Sequence, residues 1–319
     1  MTGEGIKAIS KRPSTMEGRG GVESWIVLFR TGNSVTGIFG VILGASLATR
    51  GFPSGEQAII TFLHALSVMT FMFSWNALND LFDVEIDRIN RPDRPLPSGK
   101  ISIQSAKIGI AVTGMASIIS LLVAAFVAQR GETGIDNWTP ALLIWASALF
   151  LLFNYESPSS FSLRMKDRGL PGNIAISLSV GLVIIFGAAG VSRPLDHGAW
   201  SVFVVGFCFN LSREIVKDIE DIRGDRGRTT FAMSAGLEKS RFVAWLILLA
   251  ALVSLLFPFI PETGIFNPWQ VVFVIPGIVT LIMVKKRLFS SEDHAAQQLI
   301  KRSMQLCLVA FFFISVFPF

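Results

Sequence analysis

The chain has 319 residues, 51% of them hydrophobic and only 16% charged, with 28 Lys+Arg against 23 Asp+Glu for a formal net charge of +5. Soluble globular domains carry about 25% charged residues, so this composition excludes an ordinary soluble domain, a disordered chain and a collagen-like fibre. Two cysteines, Cys208 and Cys307, both inside apolar runs, exclude a disulfide scaffold and read as small apolar residues.

Residues 1–24 are polar and glycine-rich, with no apolar core of signal-peptide length, and read as a polar tail. From Trp25 the chain offers nine apolar stretches near the ~20 residues that cross a bilayer. They are 25–49, 57–79, 104–128, 138–157, 171–191, 199–217, 241–260, 268–288 and 298–318. The expected fold is all-α: a polytopic membrane bundle of about nine transmembrane helices, with residues 25–319 forming one transmembrane domain. Nine crossings put the two termini on opposite sides. Of the 28 Lys/Arg, 23 lie in the tail and around the loops after spans two, four, six and eight, against Arg50, Arg130 and Arg193 in the other connections. The positive-inside rule then places the N-terminus in the cytoplasm and the C-terminus outside. The basic excess is thereby explained by topology, and no nucleic-acid partner is expected.

Two long, charged loops, 80–103 and 218–240, follow spans two and six on that same cytoplasmic side. The first begins Asn79-Asp80-Leu81-Phe82-Asp83. On a helix continuing span two, Asn79, Asp83 and Asp87 recur at i, i+4 and i+8 and share one face, with Asp80 about a quarter-turn aside. Arg91-Pro92 and Arg94-Pro95-Leu96-Pro97 then stop the helix and bring guanidinium groups close. In the second loop Asp218, Asp221 and Asp225 recur at i, i+3 and i+7, Glu214 lies one turn earlier, and Arg213 and Lys217 interleave positive charge. A single such cluster is also what a solvated, salt-bridged helix end looks like. Two of them on one membrane side, with matched spacing, call for bound counter-ions, because clustered like charges repel. Magnesium favours one or two carboxylates plus substrate phosphates and water. Two facing sites of this kind would clamp a diphosphate.

Arg30, a few residues into the first span, is a costly intramembrane charge unless it snorkels or functions. Lys166 is one of three positives in the loop after span four. His64, His197 and His294 stand one per segment without metal-ligand spacing and read as structural or surface residues.

At these residues the sequence resembles the UbiA superfamily of intramembrane prenyltransferases. Asn79, Asp83 and Asp87 match that family's N-x-x-x-D-x-x-x-D, Arg94 to Gly99 its R-P-x-P-S-G, and Asp218, Asp221 and Asp225 its second aspartate motif. Arg30 and Asn33 match a first-helix pair, and Lys166 to Asn173 a K-x-x-x-L-x-G-N element. The anchors run in the family's order, and with nine spans the resemblance covers nearly the whole chain. It implies Asn79, Asp83 and Asp87 on one Mg2+ and Asp218, Asp221 and Asp225 on a second. Asp83, Asp218 and Lys166 are then catalytic, and Arg30, Asn33, Arg94, Lys166, Asn173, Arg213 and Lys217 bind substrate, close to the cytoplasmic face of the cell membrane.

The stretches KDIEDIRGD and GNIAISLSVG resemble the superfamily's archaeal ether-lipid branch. That branch implies geranylgeranyl diphosphate as donor and a lipid-like acceptor in the bilayer, geranylgeranylglyceryl phosphate, whose phosphate Arg223 or Arg226 would meet. Arg223 stands where the family commonly has glutamate, and the stretch from Asp225 to Thr230 is about two residues short. An aromatic or chlorophyllide acceptor is the alternative. A cation-coupled transporter is more remote, since it needs carboxylates near the bilayer midplane and these cluster at helix ends.

Overall fold

The computed structural model describes residues 21–222 and 229–317. Most of the polar tail, together with Arg223, Asp225 and Arg226, therefore lies outside the described residues. What is described is helical, in the order α1 (Val22–Leu28), α2 (Thr31–Thr49), α3 (Gly55–Phe82), α4 (Val84–Asn90), α5 (Ile103–Arg130), α6 (Ile135–Glu156), α7 (Leu170–Gly190), α8 (His197–Asp221), α9 (Phe231–Ala235), α10 (Leu237–Leu256), α11 (Ile275–Phe289) and α12 (Asp293–Val316).

Eight of these helices are long and apolar enough to cross a membrane: α2, α3, α5, α6, α7, α8, α10 with the turn that follows it, and α12. The expected crossing at 268–288 is a composite. A 3-10 helix, Pro268–Val274, runs into α11, which has only 15 residues. Pro268 is the first residue of the 3-10 piece and Pro276 the second of α11, within the first turn, where a missing N–H costs little. Asn267 and Gln270 close the 3-10 piece with a capping box.

The expected first span is also interrupted. Residues 25–49 carry no proline, yet the helix breaks at Arg30, which takes a left-handed conformation (φ 47°, ψ 51°) between α1 and α2. For a residue with a Cβ that conformation costs roughly 1–2 kcal/mol. The described structure places a compensating ion pair there.

The helices pack mostly as near neighbours along the chain, with longer-range seams between α2 and α7, α2 and α12, and α8 and α12. α3 lies along α5, α2 lies against α3, α7 and α12, and α8 packs on α7, α10 and α12. The α2–α7 seam is close enough that backbones touch: a Cβ on Gly44 would fall 1.8 Å from the Ile184 carbonyl oxygen, and one on Gly187 2.0 Å from that of Val41. The largest buried cluster joins α2, α7, α8, α10, α11 and α12 through Leu43, Ile185, Phe209, Leu248, Leu281 and Phe311. A second joins α2, α3, α5, α6 and α7 around Ile60, Leu121 and Trp138. Within it His64 is wholly buried, accepts from Trp138 Nε1 at Nε2 (3.0 Å) and stacks on Phe186. That leaves its ring proton on Nδ1, facing the Phe186 carbonyl at 3.3 Å. By contrast, Val112, Met115, Ile119, Leu122 and Phe126 of α5 are exposed. An apolar stripe of this size on a long helix is what lipid contact requires.

Because successive long helices alternate in direction, the ends of α3, α6 and α8 gather with the starts of α2, α5, α7, α10 and α12. This end of the bundle carries the acidic clusters. The opposite end is held by few charges: Glu56 accepts from the backbone N–H groups of Glu132 (2.6 Å) and Thr133 (3.1 Å), and Arg193 donates to the Ala48 carbonyl (2.9 Å).

Candidate active site

The first acidic cluster forms where α3 gives way to α4. Asp83 sits at the junction (φ −88°, ψ 3°), so the helix is not continuous through Asp87 as the spacing suggests. Its hydrogen-bond rhythm nevertheless carries across: Asp83 N donates to Asn79 O (3.0 Å) and Asp87 N to Asp83 O (2.8 Å). The i, i+4, i+8 relation therefore survives the kink, and each side chain meets a different cation. Asn79 Oδ1 accepts from Arg30 Nη2 (3.2 Å), Asp83 Oδ2 from Lys166 Nζ (3.0 Å), and Asp87 Oδ2 from Arg94 Nη1 (2.5 Å).

Asp80, a quarter-turn away and outside the residues the spacing selects, is the most enclosed carboxylate of this cluster, 4% exposed. It accepts from Arg30 Nη2 (2.5 Å) and Arg94 Nη1 (3.3 Å). Here the break at Arg30 has its consequence. It turns the guanidinium from the start of α2 onto the end of α3, where Asn79 and Asp80 offer two acceptors. Asn76 reinforces the junction by donating from Nδ2 to the Phe29 carbonyl (3.1 Å).

Lys166 enters from a 3-10 turn, Met165–Asp167, immediately before α7. The turn is pressed onto α7 so closely that a Cβ at Gly172 would lie 2.4 Å from the Met165 carbonyl oxygen and 3.3 Å from Lys166 Cα. Only glycine fits there. Lys166 Nζ also donates to Glu156 Oε1 (2.5 Å) at the last residue of α6. One turn into α7, Asn173 Nδ2 donates to Asp218 Oδ2 (2.9 Å).

Asp218 and Asp221 lie in the last turn of α8, which reaches past the expected end at residue 217. Arg91, just after α4, brings Nη2 to 3.8 Å from Asp221 Oδ1. The two clusters, four spans apart in sequence, are thus tied together twice: directly through Arg91, and through the segment 166–173, which holds Asp83 with Lys166 and Asp218 with Asn173. Arg168 and Thr229 add a backbone bridge between that segment and the chain after α8.

Other expected substrate ligands are placed less centrally. Asn33 is exposed in the first turn of α2. Arg213 and Lys217 both pair with Glu214, each at 3.2 Å, while Arg213 Nε is buried without a partner. Glu220 turns to α12, meeting His294 Nδ1 (2.8 Å) and Gln297 Nε2 (3.1 Å). The motifs do not pick out Asp80 or Glu156 as ligands, and they place Arg91 near the first cluster without its tie to Asp221. The sequence marks both carboxylates only as lying within or at the end of an apolar span.

Among the described residues no three acidic, imidazole or thiolate groups converge into a ready-made metal cage. The donor set around Asn79, Asp83, Asp87, Asp218 and Asp221 is nonetheless all oxygen. Hard oxygen donors that supply one or two carboxylates per ion suit magnesium, which takes its remaining ligands from phosphate and water. The residues fit such an ion, with Arg30, Arg94 and Lys166 beside them to meet phosphate oxygens.

Aromatic side chains of α3 and α6 cluster on the apolar side of Asp83. Phe71 and Trp75 of α3 lie three turns and two turns from Asp83, with rings stacked at 5.7 Å, and Phe71 meets Trp145 of α6 edge-on at 5.7 Å.

Comparison with known proteins gives the family and the fold. Residues 37–315 match the UbiA prenyltransferase family. The chain is 30% identical over 302 residues to the digeranylgeranylglyceryl phosphate synthase of Haloquadratum walsbyi, covering 92% of this chain and 94% of that one. A solved structure concerned with digeranylgeranylglyceryl phosphate synthase in membranes superposes with a TM-score of 0.69 at 26% identity, covering 92% of this chain and 98% of that one. A UbiA homolog from Archaeoglobus fulgidus bound to GPP and Mg2+ shares the fold, with a TM-score of 0.59 at 16% identity over 90% of this chain and 99% of that one. The chain is a multi-pass membrane prenyltransferase and belongs to the UbiA family.

Proposed function

We propose that this protein transfers a geranylgeranyl group from its diphosphate to the free hydroxyl of geranylgeranylglyceryl phosphate, forming an ether lipid. The observation that carries the diphosphate chemistry is the joining of two acidic clusters by Lys166, Asn173 and Arg91 at one end of the bundle. The acceptor rests on similarity to relatives named digeranylgeranylglyceryl phosphate synthase.

In this reading Asn79, Asp83 and Asp87 hold one Mg2+, and Asp218 and Asp221, with Asp225 beyond the described residues, hold another. Bound there, the ions neutralise the charge that develops on the departing diphosphate. Asn33 lies beside this region, on the first turn of α2, and would contact substrate only at its edge. Arg30, Arg94 and Lys166 bind diphosphate oxygens and stabilise the same charge as the allylic C–O bond breaks. Arg213 and Lys217 extend the basic lining toward the acceptor phosphate.

The reacting carbon sits just inside the bundle, where Trp75 and its neighbours exclude water and present aromatic faces to the allylic cation. The prenyl tail then follows the α3–α6 side past Phe71 and Trp145. The acceptor oxygen forms the new C–O bond, and its proton passes to a carboxylate or to the departing diphosphate. Residues 25–319 act as one domain, with the N-terminus and the site on the cytoplasmic face.

The test is an acceptor comparison with the detergent-purified chain, geranylgeranyl diphosphate and Mg2+. Ether product with geranylgeranylglyceryl phosphate alone is the expected result. Product only with a hydroxybenzoate, homogentisate or a chlorophyllide would overturn the acceptor and keep the diphosphate chemistry.

A further inference from the structure

Glu156 is expensive where it stands. It is the last residue of α6, at the negative end of the helix dipole, and its side chain is 4% exposed. Burial and dipole both disfavour a carboxylate there. The group beside it is Lys166 Nζ at 2.5 Å, which is simultaneously 3.0 Å from Asp83 Oδ2. One ammonium thus serves two carboxylates from different helices, Asp83 at the α3–α4 junction and Glu156 at the end of α6. An ammonium has three protons to donate. With two directed at these carboxylates, a third remains for another oxygen.

We infer that Glu156 is a positioning residue for Lys166: it holds the ammonium at the site when Asp83 turns to a divalent cation. The inference rests on the reading of Asp83 as a metal ligand. When Asp83 gives its oxygens to the ion, Lys166 loses one anionic partner and gains a repelling neighbour. Glu156 supplies the charge that keeps Lys166 in place, aimed at the diphosphate. Without that charge Lys166 would cling to Asp83 and compete with the ion for it. The site as a whole would also be one unit more positive, which disfavours the ion further. Both effects have the same sign.

The experiment uses the full chain in detergent, with thermal unfolding followed as Mg2+ is raised in the presence of inorganic diphosphate, and transfer rates measured alongside. Glu156→Gln keeps an oxygen for Lys166 and removes the charge. It is expected to raise the Mg2+ midpoint of stabilisation about tenfold, the low end of what groups behind a metal ligand contribute. The rate at saturating Mg2+ is expected to fall much less than the midpoint rises. In a Lys166→Ala background the same substitution is expected to move the midpoint much less, because the competitor is gone and only the change in net charge remains. Glu156→Asp, which keeps the charge, is expected to stay near the wild-type midpoint and serves if the Gln variant does not fold.

A Glu156→Gln midpoint equal to wild type would overturn the role, leaving a residue that merely closes the loop onto α6. So would a shift of undiminished size in the Lys166→Ala background. Wild-type protein with no Mg2+-dependent stabilisation or transfer would overturn the reading of Asp83, and this role with it.

Discussion

Arg30 and Asp80, fifty positions apart in the chain, form a 2.5 Å ion pair that joins the start of α2 to the end of α3. The pair explains two local costs at once. It compensates the left-handed backbone at Arg30 and supplies countercharge to a carboxylate that is nearly inaccessible to water. Asp80→Asn leaves Arg30 and Arg94 facing each other across a neutral amide. Loss of a buried partner of this kind costs about 3 kcal/mol. The variant is expected to melt earlier and to show a raised KM for the prenyl diphosphate, measured on the folded fraction.

Asn173 reports on the second cluster. Its Nδ2 donates to Asp218 Oδ2 at 2.9 Å and so helps orient that carboxylate. Asn173→Ala is expected to lower kcat/KM by about tenfold, the range seen when a group orienting a metal ligand is removed. Asn173→Asp, which sets two carboxylates together, is expected to be the worse of the two. Steady-state rates across a Mg2+ titration check the order.

Gly172 sets the position of Lys166. A methyl group there meets the Met165 carbonyl oxygen at 2.4 Å and must push the turn that carries the lysine. Displacement of a catalytic group by about 1 Å can cost around a hundredfold in rate. Gly172→Ala is therefore expected to lose most of its turnover while remaining folded in detergent. Gly51→Ala, in the connection at the far end of the bundle with nothing within 4 Å, is the matched control and is expected to be silent.

Much of the site is legible in the sequence for a simple reason. Carboxylates on a helix announce themselves by period, and Asn79, Asp83 and Asp87 keep that period even across the kink at Asp83. The membrane spans are legible because lipid demands long apolar runs. What could not be read depends on distant partners. Asp80 differs from its neighbours only because Arg30 and Arg94 converge on it, and Glu156 only because a 3-10 turn ten residues on brings Lys166 back to it. The break at Arg30 has no proline to mark it, since tertiary ion pairing imposes it on an otherwise helical run. The segment Pro268–Phe289 reads as one span because hydropathy does not distinguish a 3-10 helix followed by a 15-residue α-helix from one long α-helix.

Arg241 offers a contrast with the site. It is buried at the start of α10, donating to Asp293 Oδ1 from Nε (2.9 Å), to Asp293 Oδ2 from Nη2 (2.7 Å) and to Glu238 Oε1 from Nη1 (2.6 Å). This is a tie between α10 and α12, with no member in either acidic cluster. Arg241→Ala leaves the largely buried Asp293 unpaired and is expected to cost about 3 kcal/mol of stability. The kcat of the protein that remains folded is expected to stay near wild type, which thermal unfolding and active-fraction kinetics separate.

The central claim is that the two acidic clusters act on one diphosphate. Its most direct test is single-turnover release of diphosphate from geranylgeranyl diphosphate by Asp83→Ala, Asp218→Ala and the double variant, each confirmed folded. Groups that act as a unit are not additive, so each single variant should lose nearly as much as the double, with turnover falling by roughly a thousandfold or more as transition-state charge goes unneutralised. Near-wild-type release by either single variant, or losses that simply multiply in the double, would contradict it.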